Sequence, residues 1–148
     1  MPQIVTAIDI DAPIERVWSV LSDTSQWDAW NPLMGEVKGA LREGGKITLK
    51  FSIQGKSFPI SVKVEDVKPN ERIAWVGPTL KPARAIFSGR HYFELKKLDD
   101  GKTRLIHGER FRGLIPDAEW FWPKAEPVIE PAYVAFNEAL KKRVEPLA

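Results

Sequence analysis

Hydrophobic and polar residues alternate with a period of two along most of the chain, and the period lengthens to three or four only in two places. Gln3 to Ile10 is alternating and β-branched enough to predict a strand, which Asp11-Ala12-Pro13 stops. Pro13 opens a short helix with Val17, Trp18, Val20 and Leu21 as its apolar face. Ser22-Asp23-Thr24 ends it and can cap a further turn from Ser25 to Trp30, closed by Asn31-Pro32. Strands are then expected over Glu36 to Leu41, Lys46 to Ile53, Phe58 to Val67 and Glu71 to Val76. The turns between them are Glu43-Gly44-Gly45, Gln54-Gly55-Lys56 and Lys68-Pro69-Asn70. After a loop from Gly77 to Lys81, Arg84 to Leu98 and Lys102 to Gly113 are the two longest expected strands.

The clearest helix is the last. Ile129, Tyr133, Phe136, Leu140 and Val144 recur at steps of three or four, which places them on one face. Pro131 suits a first helical turn, and Lys141-Lys142-Arg143 stands where the helix dipole favours positive charge. So amphipathic a helix must lie on something apolar, and most of the chain before it reads as strand. The expected architecture is a sheet wrapped around this helix, with function in whatever space remains between them. Gly113 to Glu130 follows neither period. Prolines at 123, 127 and 131 recur every fourth residue, and a regular helix through them loses several hydrogen bonds. Trp120-Phe121-Trp122 therefore reads as part of a broken or late-starting helix across one end of the cavity, a candidate lid. A proline-rich loop packed on the core, or an aromatic tip dipping into a membrane, would leave the same trace.

The 148 residues suit one domain, 1–148, with no repeat or linker. A formal charge of +2 is too small to announce a nucleic-acid or membrane partner. With no cysteine there is neither a disulfide framework nor a thiolate metal site or nucleophile. The start of the chain has no basic n-region or long apolar run, so the expectation is a soluble cytoplasmic protein without stable membrane insertion. Six tryptophans are many for this length, and fit either large core side chains or aromatic walls around a ligand.

The long hairpin carries the candidate chemistry. Phe87, His91, Phe93 and Leu95 alternate with Arg90, Glu94 and Lys96, and Leu105, His107, Glu109 and Phe111 alternate with Arg104, Arg110 and Arg112. The odd positions are thus the inner face of both strands. Asp99-Asp100-Gly101 fits a three-residue loop with glycine in the left-handed position. That loop pairs Leu98 with Lys102, and so sets His91 opposite Glu109 and Phe93 opposite His107, with Cβ atoms roughly 4.5 to 5.5 Å apart. The only two histidines and one carboxylate then cluster on an apolar face. Three roles fit them: a satisfied buried polar set, a group that orients a ligand, or an acid/base pair. A two-histidine, one-carboxylate metal site is formally possible but lacks the usual ligand spacing, so neither metal nor cofactor is expected. There is no Gly-x-Ser-x-Gly elbow and no phosphate-cradling glycine loop.

Several stretches carry a likeness to a known family. They are Ile8-Asp9-Ile10-Asp11-Ala12-Pro13-Ile14-Glu15-Arg16-Val17-Trp18, Trp27-Asp28-Ala29-Trp30-Asn31-Pro32, Leu41 to Gly45, Arg104 to Glu109, and Phe136-Asn137-Glu138-Ala139-Leu140-Lys141. With the order of elements, they make the chain resemble the START-like helix-grip superfamily, or SRPBCC, over essentially its whole length. That superfamily includes pollen-allergen-like proteins, lipid-transfer domains and bacterial polyketide cyclases. The three prolines before the last helix depart from its pattern. The resemblance implies an α+β helix-grip fold: a curved seven-stranded antiparallel sheet around a long C-terminal helix, two short helices after the first strand, and a hydrophobic cavity. It implies no single activity, since members bind lipids, hormones or polyketides, catalyse cyclisation or dehydration, or serve as chaperone cofactors.

Three functions stay open. In the first, a hydrophobic small molecule is enclosed by Trp27, Trp30, Phe51, Trp75, Phe87, Phe93, Phe111, Trp120 and Tyr133 and oriented by His91, His107 and Glu109. In the second, a cyclase or aromatase uses Glu109, His91 or His107 to move a proton. In the third, an interaction module exposes an apolar patch outside the cavity. Lys46, Lys50, Lys63, Arg90, Lys96, Arg104 and Arg112 on the outer sheet face read as a solvated surface, with no nucleic-acid partner expected.

Overall fold

A computed structural model describes residues 2–146; residues 1, 147 and 148, the ends of the expected 1–148 domain, lie outside the described residues. Strand β1 (Gln3–Ile10) is followed by helix α1 (Ile14–Leu21), a 3-10 turn over Thr24–Gln26 and a single helical turn α2 (Trp27–Trp30). Then come β2 (Met34–Lys38), β3 (Lys46–Ile53), β4 (Lys56–Lys68), β5 (Arg72–Gly77), helix α3 (Lys81–Ile86), β6 (Ser88–Lys97), β7 (Thr103–Arg112) and helix α4 (Phe121–Val144). The strands form one seven-stranded antiparallel sheet in the order β1-β7-β6-β5-β4-β3-β2. Helix α4 buries Tyr133, Phe136, Asn137, Leu140 and Val144. It is tied to its surroundings by Lys141 Nζ donating to the Asp9 carbonyl at 3.0 Å and Arg16 Nε donating to the Val144 carbonyl at 2.6 Å. This is the α+β helix-grip arrangement, with short helices after the first strand.

The long hairpin has the register that loop length imposes: Leu98 N donates to the Lys102 carbonyl at 2.8 Å, and Gly101 sits at φ +71°. The outer face carries ion pairs, Arg104 with Asp9, Arg90 with Glu65 and Asp66, Arg72 with Asp66, and Lys50 with Glu36. Elsewhere local chemistry moves the boundaries. Strand β2 runs Met34–Lys38, rather than 36 to 41, because its pairing with β3 slips between Gly35 and Lys38. Asp28 Oδ1 lies 2.3 Å from where a Gly35 Cβ would stand and accepts from Glu36 N–H at 2.8 Å, so the irregularity locks α2 to the sheet. Strand β4 keeps Pro59 because that residue lies beyond the last β5 pairing, Lys63 with Val76, where the strand has only one neighbour. Arg84 to Ile86 are helical, not extended: Pro82 stands in the first turn of α3, where its missing N–H costs nothing, and Ala83-Arg84-Ala85 are good helix formers.

The largest departure is α4, which begins at Phe121 and runs unbroken through Pro127 and Pro131. Pro123 falls in its first turn. At four-residue spacing the three prolines form one stripe, and all three are exposed, so the carbonyls they leave unpaired face water. Hydration offsets most of the loss that was expected to break the helix. Pro127→Ala should raise stability by about 1 to 3 kcal/mol, since it restores a helical N–H and removes the ring clash. Urea unfolding checks this; a loss of stability would mean that the proline shape is needed.

Candidate functional site

The inner face of β5, β6 and β7 is set by pairing. Trp75 stands beside His91 and Gly77 beside Gly89; across β6 and β7, Gly89 stands opposite Phe111, His91 opposite Glu109 and Phe93 opposite His107. Between this face and α4 a cavity of about 190 Å³ remains, and the side chains missing at the neighbouring pair Gly77 and Gly89 let Ile60, Val62 and Glu109 come in close beside it. Leu49, Phe51, Ile60 and Val62 of β3 and β4 form one side, Phe87 and Phe111 another, and Ile129 and Tyr133 of α4 the roof. Glu109, His91 and the Tyr133 hydroxyl are the polar side-chain groups in its wall. An apolar cavity of about 150 Å³ holds a benzene ring, so this one suits a single substituted ring.

The Glu109 side chain is 14% exposed and heads a chain of hydrogen bonds running away from the cavity. Its Oε1 lies 2.9 Å from His91 Nδ1 and accepts from the Tyr133 hydroxyl. His91 Nε2 lies 2.7 Å from His107 Nε2, and His107 Nδ1 lies 2.9 Å from Asn137 Oδ1. Asn137 Nδ2 donates to Thr6 Oγ1 at 2.8 Å, and Thr6 Oγ1 donates to the His107 carbonyl at 2.7 Å. His91 also packs flat on Trp75, and His107 on Tyr133 and Phe93.

The direction of that chain is not free. A backbone carbonyl only accepts, so the Thr6 hydroxyl donates to it and must itself receive a hydrogen from the Asn137 amide. Asn137 Oδ1 therefore faces His107, whose Nδ1 carries the hydrogen. Neutral His107 then accepts at Nε2 from His91 Nε2–H. Burial, and next the charge of His91, hold His107 well below the usual imidazole range, more than offsetting its bonds to Asn137 and the Tyr133 backbone. Neutral His107 is thus the form present near pH 7. Burial first, then the charge of Glu109 and the bond to it, push Tyr133 well above the usual phenol range, so its hydroxyl stays a donor.

The buried neutral His107 makes stability depend on pH. Below about 6.5 the unfolded chain takes up a proton that the folded one refuses, so unfolding becomes easier as pH falls. Stability should drop by about 1.4 kcal/mol per pH unit from about pH 6.5 downward, until the folded value is reached. The carboxylates held low by partners, Asp9 by Arg104 and Glu145 by Lys141, act only at lower pH. Urea titrations at pH 6.5, 6.0 and 5.5 measure the slope, and a flat profile over that range is inconsistent with a neutral buried His107.

Of the residues expected around the cavity, Phe51, Trp75, Phe87, His91, Glu109, Phe111 and Tyr133 line it. The others lie elsewhere. Trp27 is fully buried in the core with its indole N–H on the Leu21 carbonyl, and Trp30 packs on Phe136. Phe93 and His107 are buried behind His91. Trp120 is 58% exposed; Phe121 and Trp122 back Phe87 and Phe111 from outside, so the aromatic triplet supports the wall without lining it. Asn137 and Thr6 were not among the expected site residues. The signal for Asn137 was a polar side chain four residues after Tyr133, on the apolar stripe of the helix. Among the described residues no group of three or more His, Asp or Glu side chains is arranged to hold a metal ion. No helix among them is long and apolar enough to cross a membrane.

Comparison with known proteins agrees with the geometry. Residues 1–145 match the family described as polyketide cyclase/dehydrase and lipid transport, and the chain belongs to it. No curated protein matches the sequence. Among solved structures, an aromatase/cyclase from a Streptomyces species is similar over 97% of this chain and 93% of its own, at 20% identity and a TM-score of 0.74. A START superfamily protein from Mycobacterium smegmatis is similar over 96% of each chain, at 19% identity and a TM-score of 0.74. A di-domain aromatase/cyclase, BexL, is similar at 15% identity and a TM-score of 0.77, over 97% of this chain but 46% of its own. Likeness at this level of identity speaks for the fold.

Proposed function

We propose that this member of the polyketide cyclase/dehydrase and lipid transport family binds a small hydrophobic molecule in the cavity between sheet and α4, in the cytoplasm. The observation that carries the reading is a hollow walled by aromatic and aliphatic side chains with two convergent ionisable groups, Glu109 and His91, on one side. Apolar burial supplies affinity at roughly 25 cal/mol per Å², and the fixed polar pair supplies selectivity. Native mass spectrometry of protein purified from its own source tests it. A retained low-mass compound, lost in the cavity-filling variant Ile60→Trp, is the expected result; a bare protein in every preparation contradicts it.

One observation favours a second reading, an enzyme of the cyclase or aromatase kind: the hydrogen-bond chain ends on a carboxylate inside the cavity. In that case Glu109→Gln abolishes turnover and leaves ligand affinity nearly intact, whereas a protein that retains a compound and never converts it is a simple binder. An interaction module draws support from exposed Leu80, Ile86, Leu114 and Trp120 around α3 and the segment after β7. Pull-down partners lost on Leu114→Ser but retained on Ile60→Trp would favour that reading over the cavity.

A further inference from the structure

We infer that the cavity selects a neutral, single-ring molecule carrying one hydrogen-bond donor, a phenol-like O–H, which it binds on Glu109 Oε2. The inference rests on the cavity-binding reading above and adds the polarity of its polar wall.

The polarity follows from the hydrogen-bond chain. Fixed at its far end by the His107 carbonyl, the chain leaves His91 donating through Nε2, so in a neutral ring Nδ1 has only a lone pair. Glu109 Oε1, 2.9 Å away, also has only lone pairs when ionised. The Tyr133 hydroxyl brings one hydrogen to the group, and it goes to Oε1. Two acceptors at that distance need one hydrogen more between them. The His91–Glu109 pair therefore holds one proton, on either partner, and is neutral as a unit.

Whichever partner carries it, that proton lies on the Oε1 side. Oε2 makes no hydrogen bond among the described residues. It lies over Gly89, 1.8 Å from where a Cβ would stand, so the missing side chain is what lets it reach the cavity. An oxygen with free lone pairs facing an apolar hollow wants a donor. A phenol supplies one together with a ring that fits the volume. A carboxylate ligand brings a charge that the neutral pair does not match, and it would be desolvated without a partner.

The probes are 4-ethylphenol, ethylbenzene and 4-ethylbenzoate, which share a ring and an alkyl arm, titrated calorimetrically into the protein, Glu109→Gln and Glu109→Met. The protein should bind 4-ethylphenol about tenfold or more tightly than ethylbenzene, and 4-ethylbenzoate most weakly. In Glu109→Gln the amide can donate one hydrogen to His91 Nδ1 and the other to the Tyr133 oxygen, whose own hydrogen turns away, and leave the carbonyl facing the cavity, so the phenol preference should survive. Glu109→Met, without an acceptor, should bind phenol and ethylbenzene within about threefold of each other. Equal affinity for 4-ethylphenol and ethylbenzene in the unmodified protein overturns the inference while leaving the cavity reading standing. No binding of any probe sinks both. Loss of the preference in Glu109→Gln overturns the assigned direction of the chain, and that variant, being isosteric, decides the matter even if Glu109→Met does not fold.

Discussion

Asn137→Ala should destabilise the protein by about 2 to 4 kcal/mol, more than any other single change in the hydrogen-bond chain. Asn137 is 2% exposed, and its amide serves two buried partners at once. Without it, the fully buried His107 loses the acceptor for Nδ1–H and Thr6 loses the donor to its hydroxyl. Each orphaned group costs about 1 to 3 kcal/mol because no water reaches it. The side-chain cavity adds to that cost. Denaturant unfolding at pH 7.5 gives the number, and nitrogen NMR of the two imidazoles shows the cause: His107 should be the Nδ1–H tautomer in the parent and lose that preference in the variant. A cost below about 0.5 kcal/mol would mean that the chain is ornamental.

Gly89→Ala should have the second large effect. The added methyl would stand 1.8 Å from Glu109 Oε2 and 2.9 Å from Glu109 Cδ, so the carboxylate must swing away. It then gives up its bonds to His91 and Tyr133, and the strain costs about 1 to 3 kcal/mol. Binding of 4-ethylphenol should weaken about tenfold or more, down to the level of ethylbenzene. The clash is with one side chain, so the double variant Gly89→Ala, Glu109→Ala should be less unstable than the sum of the single ones. Strict additivity would place the fault in the strand backbone instead.

Most of the frame was legible because it depends on local rules. Alternation fixes which face of a strand is buried, and the length of the Asp99–Gly101 loop fixes the pairing of β6 with β7. Those two facts put His91 beside Glu109 from the sequence alone. The start of α4 was not legible, because a proline's cost depends on whether the carbonyl it strands faces water, and that is a tertiary fact. Helix α3 was hidden for a related reason: six residues are too few to show a helical period against the strand that follows.

The site was half visible. Aromatic residues on the inner face could be named, but not which of them stop short of the hollow; Trp27 and Phe93 fill the core while Phe51 and Phe87 border empty space. Gly77 and Gly89 let Val62, Ile60 and Glu109 close in beside the hollow, and an absent side chain leaves no periodic signal. Tyr133 was expected as a wall and is also a donor to Glu109. Asn137, which gives the whole chain its direction, interrupts an apolar stripe by a single polar position.

A crystal structure with 4-ethylphenol bound tests most directly whether the cavity reads a donor. The phenolic oxygen should lie within about 2.5 to 3.0 Å of Glu109 Oε2, with the ring under Tyr133 and the alkyl arm toward Ile60 and Val62. A ring seated outside the cavity, or an oxygen turned away from Glu109 and toward solvent, would contradict it.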